Sequence, residues 1–74
     1  MSGSHLTKND ITIGKRIRRL RKLAELTQEQ LAEKINVSTT HVGLVETGYR
    51  RMSLKTLHKV AKVLGVKVKD LIPF

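Results

Sequence analysis

Between residues 38 and 47 the sequence "STTHVGLVET" gathers four hydroxyl side chains, one imidazole and one carboxylate. Such a set donates and accepts hydrogen bonds, but nothing in it builds a covalent reaction centre. There is no cysteine for a thiolate nucleophile or a thiolate zinc site, and His5, His41 and His58 lie too far apart for a His-x-x-x-His or Glu-x-x-His ligand pair. No nucleophile, general base and oxyanion donor can be assembled, so the expectation is no enzyme, no metal, no cofactor and no small-molecule ligand. The other reactive class is cationic. Fifteen Lys and Arg stand against six Asp and Glu, a net charge of +9 and a pI near 10.5, which implies a polyanionic partner.

The elements that must position these groups are all helical. A chain of 74 residues makes one domain, and at that size only about 60% of the unfolded surface is buried, without disulfides to help. Residues 1–10, "MSGSHLTKND", are small and polar, lack periodicity, and contain a Gly-Ser-His run like that left by a cloning vector; they are expected to be a disordered tail preceding a domain over 11–74. From Ile13 the apolar residues Ile13, Ile17, Leu20 and Ala24 recur on one helical face, with Lys15, Arg16, Arg18, Arg19, Arg21 and Lys22 on the remainder. That predicts a first helix with a basic exterior.

Three hydroxyl residues then announce three more helices. Thr27 with Gln30 forms a capping box, Ser38 and Ser53 serve as further N-caps, and Leu26/Leu31, Val37/Val42 and Met52/Leu57 have the spacing of hydrophobic staples. Leu31 and Ile35, then Val42 and Val45, then Leu57, Val60, Ala61 and Leu64 supply inward stripes. Asn36, Gly48 and Gly65 stand where the chain must stop and reverse. A short fifth helix over about 68–72 ends at Pro73.

On the predicted third helix, Val42, Val45 and Glu46 share one side, while Thr39, Thr40, Gly43, Leu44 and Thr47 share the other. A face that only meets water favours strong helix formers such as Lys, Glu and Arg. This one is small, neutral and rich in hydroxyls, although Gly43 alone costs about 1 kcal/mol relative to alanine. It suits a narrow concave surface such as the DNA major groove, where threonine bonds base edges and Leu44 meets a thymine methyl. The equally weighted alternative is that the threonines simply favour a first helical turn and Leu44 fills a flank of the core.

The segment from "TQEQLAEK" through Asn36 and "VSTTHVGLVETG" to "LHKVAKVLGV" resembles the helix-turn-helix domain of the phage repressor and Cro family, over about residues 13–72. The resemblance implies an all-α, compact five-helix, lambda-repressor-like DNA-binding fold with helices 2 and 3 as the motif. It implies that Ala32 is small so that the third helix can approach, that Thr39, Thr40 and Leu44 face bases, and that Gln28 belongs with this base-reading set, meeting a phosphate or bracing a base-reading side chain. It also implies an internal ion pair between Arg21 and Glu46. Ser38, His41, Tyr49, Arg50 and Arg51 are the expected phosphate contacts, the last three lying in the loop before Ser53. Two departures stand out: Glu25 occupies a position where the family commonly has glycine, and the base-reading positions lack the Gln, Arg or Asn that give bidentate contacts.

These features lead to the expectation of a sequence-specific double-stranded DNA-binding transcriptional regulator, a repressor that inserts residues 38–47 in the major groove. It would bind a two-fold operator as a weak homodimer through its C-terminal helices, using Leu71, Ile72 and Phe74. The alternative is a protein-interaction module, such as an antitoxin or antirepressor partner, docking through Leu44 and its neighbours. A membrane-surface role conflicts with the need of the first helix to give its apolar face to the core. With no membrane-spanning run and no apolar signal segment, a cytoplasmic, nucleoid-associated location of bacterial or phage type is expected.

Overall fold

Four of the helices begin and end on the same two local devices. The computed structural model describes residues 7–74 and contains α1 (Lys8–Leu23), α2 (Gln28–Ile35), α3 (Thr39–Glu46), α4 (Leu54–Leu64) and α5 (Val68–Leu71), with no strand among the described residues. Thr7, Thr27, Ser38 and Ser53 each accept a hydrogen bond from the backbone N–H three residues on, satisfying a donor that the helix cannot. At Thr27 the Gln30 side chain returns the bond, completing the capping box.

At the other ends, Glu25, Asn36, Gly48 and Gly65 all adopt the left-handed conformation. Each donates its N–H to the carbonyl three residues back, and the next residue donates to the carbonyl five back, as in Leu26 to Arg21 at 3.1 Å and Val37 to Ala32 at 3.0 Å. This paired closure reverses the chain within two residues. It also places Leu26 and Val37 directly before the next cap, where their apolar side chains staple the following helix.

The core joins α1 through Ile17, α2 through Leu31, Ala32 and Ile35, α3 through Val42 and Val45, and α4 through Leu57, Val60 and Ala61, closed by Met52 and Leu71. α2 and α1 pack most extensively on α3, which is thereby held from two sides. The approach of α1 to α3 is set by Gly14: a Cβ there would stand 2.2 Å from the Val45 carbonyl oxygen and 2.9 Å from that of Glu46. Backbone meets backbone, so no side chain can fold away to make room.

Several expectations need revision. α1 begins at Lys8 rather than Ile13, because Thr7 and Asp10 cap a polar first turn, so residues 7–10 of the expected tail belong to the folded domain. Residues 1–6 lie outside the described residues. The helix ends at Leu23, leaving Ala24 exposed as its C-cap instead of buried. Arg21 leaves the basic exterior and is buried. Leu71 is wholly enclosed by the core, so it has no surface to offer a second subunit. The fifth helix stops at Leu71, one residue before the expected end at Ile72.

Gly14→Ala is expected to lower stability by about 1–3 kcal/mol through overpacking of the α1–α3 contact, and Glu25→Gly to raise it by about 1 kcal/mol by relieving the left-handed strain. Urea denaturation of both variants checks this; a neutral Gly14→Ala would contradict the observed approach.

Candidate nucleic-acid interface

The position of α3 is fixed from beneath by a buried cluster of charge. Arg21 on α1 donates from Nε to Glu46 Oε2 at 2.6 Å and from Nη2 to Oε1 at 3.0 Å, with the two side chains 8% and 1% exposed. Its Nη1 donates to the Leu26 carbonyl at 2.7 Å, and Gln28 Nε2 donates to Glu46 Oε1 at 3.0 Å. One carboxylate at the end of α3 is thus tied to α1 and to the first residue of α2, while the guanidinium also holds the turn between them. The bidentate geometry is the strong form of such a pair, and each additional bond offsets the cost of removing charge from water.

Gln28 also lies across α3. Its amide is 3.6 Å from where a Gly43 Cβ would stand, an ordinary van der Waals distance. Space alone therefore does not require glycine at 43, and this part of the helix face is covered by Gln28 rather than bare. The Gln28 amide nitrogen is committed to Glu46, a bracing arrangement, while its oxygen has no hydrogen-bond partner among the described residues.

The remaining candidate residues face outward. Thr39 and Thr40 are exposed in the first turn of α3, and Leu44 is half-buried one turn later. Ser38 is exposed but spends its hydroxyl as an acceptor for the His41 N–H at 3.0 Å. Thr47 bonds back to the carbonyls of Gly43 and Leu44, at 3.2 and 3.1 Å, so its hydroxyl proton serves its own helix. The Tyr49 and Arg50 N–H groups both reach the Leu44 carbonyl, at 2.9 and 3.3 Å, which folds the loop 47–53 back beside α3. As a result Ser38, Thr40, His41, Leu44 and Arg50, with Val37, line one open hollow of about 320 Å³. Five residues separated in sequence thus share a surface; Thr39 lies outside its wall, and Tyr49 stands exposed in the loop.

Arg51 is exposed too, but it lies outside that hollow and reaches the start of α1. Its Nε donates to both carboxylate oxygens of Asp10, at 3.2 Å each, in an ion pair across 41 positions of sequence. Asp10 had no place in the expected site, since it fell within the assumed tail. Its signal was nonetheless legible: Thr-x-x-Asp directly before an apolar run is a helix-start signature. Among the described residues, no three His, Cys, Asp or Glu side chains gather into a metal-binding group, and no helix is long and apolar enough to cross a membrane.

Two short helices joined by three residues, with the second held by its buried side and open on its hydroxyl side, define a helix-turn-helix DNA-binding domain. Comparison with known proteins gives the same class. The chain belongs to the helix-turn-helix family of phage repressor and Cro type, whose members are DNA-binding transcription regulators; the family model matches residues 17–71. It is 42% identical over 62 residues to the immunity repressor protein of Bacillus phage phi105, covering 84% of this chain and 43% of that repressor, so it spans less than half of the relative's length. Among solved structures it is similar to the restriction-modification controller protein C.AhdI from Aeromonas hydrophila, with 34% identity and a TM-score of 0.83 over 88% of this chain and 98% of the other. It is also similar to SinR, the master regulator for biofilm formation solved in complex with DNA, with 35% identity and a TM-score of 0.75 over 80% and 95% of the two chains.

Glu46→Ala leaves Arg21 buried without its counter-charge and is expected to cost about 3–5 kcal/mol, enough to unfold much of a domain this small. Circular dichroism melting measures it; a loss below about 1 kcal/mol, the scale of an exposed pair, would contradict a structural role for the cluster.

Proposed function

We propose that the protein is a sequence-specific repressor of transcription that sets α3 into the DNA major groove, reading bases with Thr39, Thr40 and Leu44 while Gln28 braces the helix from above Gly43. The observation that carries this is the outward hydroxyl face of α3, rigidly backed by the Arg21–Glu46–Gln28 cluster and continuous with the hollow ringed by Ser38, Thr40, His41, Leu44 and Arg50. Hydroxyls and one aliphatic side chain match the major-groove pattern of donors, acceptors and thymine methyls, and their small size lets the helix approach closely.

Ser38, His41, Tyr49, Arg50 and Arg51 supply the phosphate contacts. Arg50 belongs to no ion pair among the described residues, and it stands beside the hydroxyl face, where a phosphate flanking the groove would lie. Phosphate contacts of this kind carry most of the affinity and make it fall steeply with salt. The net charge of +9 speeds encounter over a longer range.

Binding is to a two-fold operator by a weak homodimer. Exposed Leu54, which shares the wall of one hollow with the half-buried Ile72, and exposed Phe74 after α5 are the apolar side chains available for that contact. The protein acts in the cytoplasm, where its DNA lies.

Selection of bound duplexes from a random pool, followed by affinity measurement on the recovered site, tests the reading. Thr39→Ala and Thr40→Ala are each expected to reduce discrimination against random DNA by about 1 kcal/mol with the melting temperature retained, and Arg50→Ala to weaken binding to all duplexes alike and lower the salt slope by about one. Recovery of no preferred sequence, or unchanged discrimination in both threonine variants, would contradict base reading by α3.

A further inference from the structure

The geometry points to Asp10 as a positioning residue for DNA binding: sunk at the start of α1, its carboxylate holds the Arg51 guanidinium by one edge and presents the other edge to a phosphate. This rests on the reading of Arg51 as a phosphate contact and assigns a role to a residue outside that set.

The two halves of the pair differ in setting. The Asp10 side chain is 10% exposed and that of Arg51 is 63% exposed. Asp10 is itself fixed, because Thr7 Oγ1 donates to its Oδ2 at 2.8 Å while the Asp10 N–H donates back to Thr7 Oγ1 at 3.1 Å. A carboxylate locked by its own helix cap therefore grips the Nε of a cation that otherwise projects into solvent. The four N–H bonds of Nη1 and Nη2 have no hydrogen-bond partner among the described residues, and these are the donors that a phosphate takes.

A pair with so exposed a cation adds little to stability. Its larger consequence is entropic. A free arginine has many rotamers to lose on contact, and an arginine already tethered at Nε loses fewer. Arg51 also follows Arg50, which lines the hollow at α3, so tethering one orders the loop that carries both.

Charge and positioning predict opposite signs. If Asp10 acted only through its charge, it would repel the phosphate backbone and occupy Arg51, so neutralising it would tighten binding. If it positions Arg51, neutralising it weakens binding although the protein becomes more cationic.

The test is fluorescence anisotropy with a mixed-sequence duplex of about two helical turns, across a range of salt, on wild type, Asp10→Asn, Arg51→Gln and the double variant, each confirmed folded by circular dichroism. Asp10→Asn is expected to bind about fivefold more weakly and to lower the salt slope by about one, as Arg51→Gln does. The double variant is expected to bind no more weakly than Arg51→Gln alone. Thr7→Ala, which frees the carboxylate without changing charge, should shift affinity the same way and keeps the test decisive if Asp10→Asn fails to fold. Tighter or unchanged binding by Asp10→Asn overturns the positioning role while leaving the Arg51 reading intact. Additive losses in the double variant also overturn it, since they mark a general effect on the fold. Wild-type affinity and slope in Arg51→Gln overturn the phosphate reading, and the positioning role with it.

Discussion

A glutamate with almost no exposure, placed at the last residue of the helix that faces outward, governs the architecture of this domain. Glu46 can be buried only because Arg21 meets both its oxygens and Gln28 adds a third hydrogen bond, while the guanidinium satisfies a further donor on the Leu26 carbonyl. Buried ion pairs of this kind are weak sources of net stability, since apolar residues of equal volume often do as well. What the cluster supplies is direction. It can be satisfied only when α1, the α1–α2 turn, α2 and α3 meet in one arrangement, and that arrangement fixes which side of α3 is turned outward.

Gly14 acts on the same contact by a different route. By letting the α1 backbone lie against the carbonyls of Val45 and Glu46, it brings α1 close enough for Arg21, seven residues later on the same face, to reach its partner. The apolar core of Val42, Val45, Leu31 and Ile17 then fills the space that the two constraints define. Sequence, packing and electrostatics agree on one geometry, the condition for a unique fold in a chain with little core to spare. Strain is tolerated at Glu25, which takes a left-handed conformation that favours glycine and that asparagine, at Asn36, adopts more readily, because the hydrogen bonds from Glu25 and Leu26 close α1 there.

Much of this is written locally. The caps at Thr27, Ser38 and Ser53, the staples, and the left-handed residues Asn36, Gly48 and Gly65 depend on neighbours within a few positions, and such signals survive without tertiary context. The start of α1 was harder to read because its first turn is polar and carries no periodicity; only the Thr7 to Asp10 spacing marks it. The role of Gly14 is invisible in sequence, since a lone glycine within a helical pattern says nothing about which backbone approaches it. The burial of Leu71 is not legible in sequence, because an apolar residue near the end of a helical run looks the same whether it closes a core or awaits a partner. The hollow beside α3 likewise could not be read from a helical wheel: it exists because loop 47–53 folds back onto the Leu44 carbonyl and carries Arg50 to Ser38, Thr40 and His41.

In the proposed function, recognition falls on one face of one short helix, and the remaining basic surface, including Lys15, Arg18 and Arg19 on α1, serves long-range attraction. Titration of isotopically labelled protein with a duplex carrying its selected site, followed by amide NMR shifts, compares the two surfaces directly. The largest changes should fall on Thr39, Thr40, Leu44 and Arg50, with Lys15 and Arg19 little altered. A pattern centred on the exposed flank of α1, with the amides of α3 silent, would contradict it.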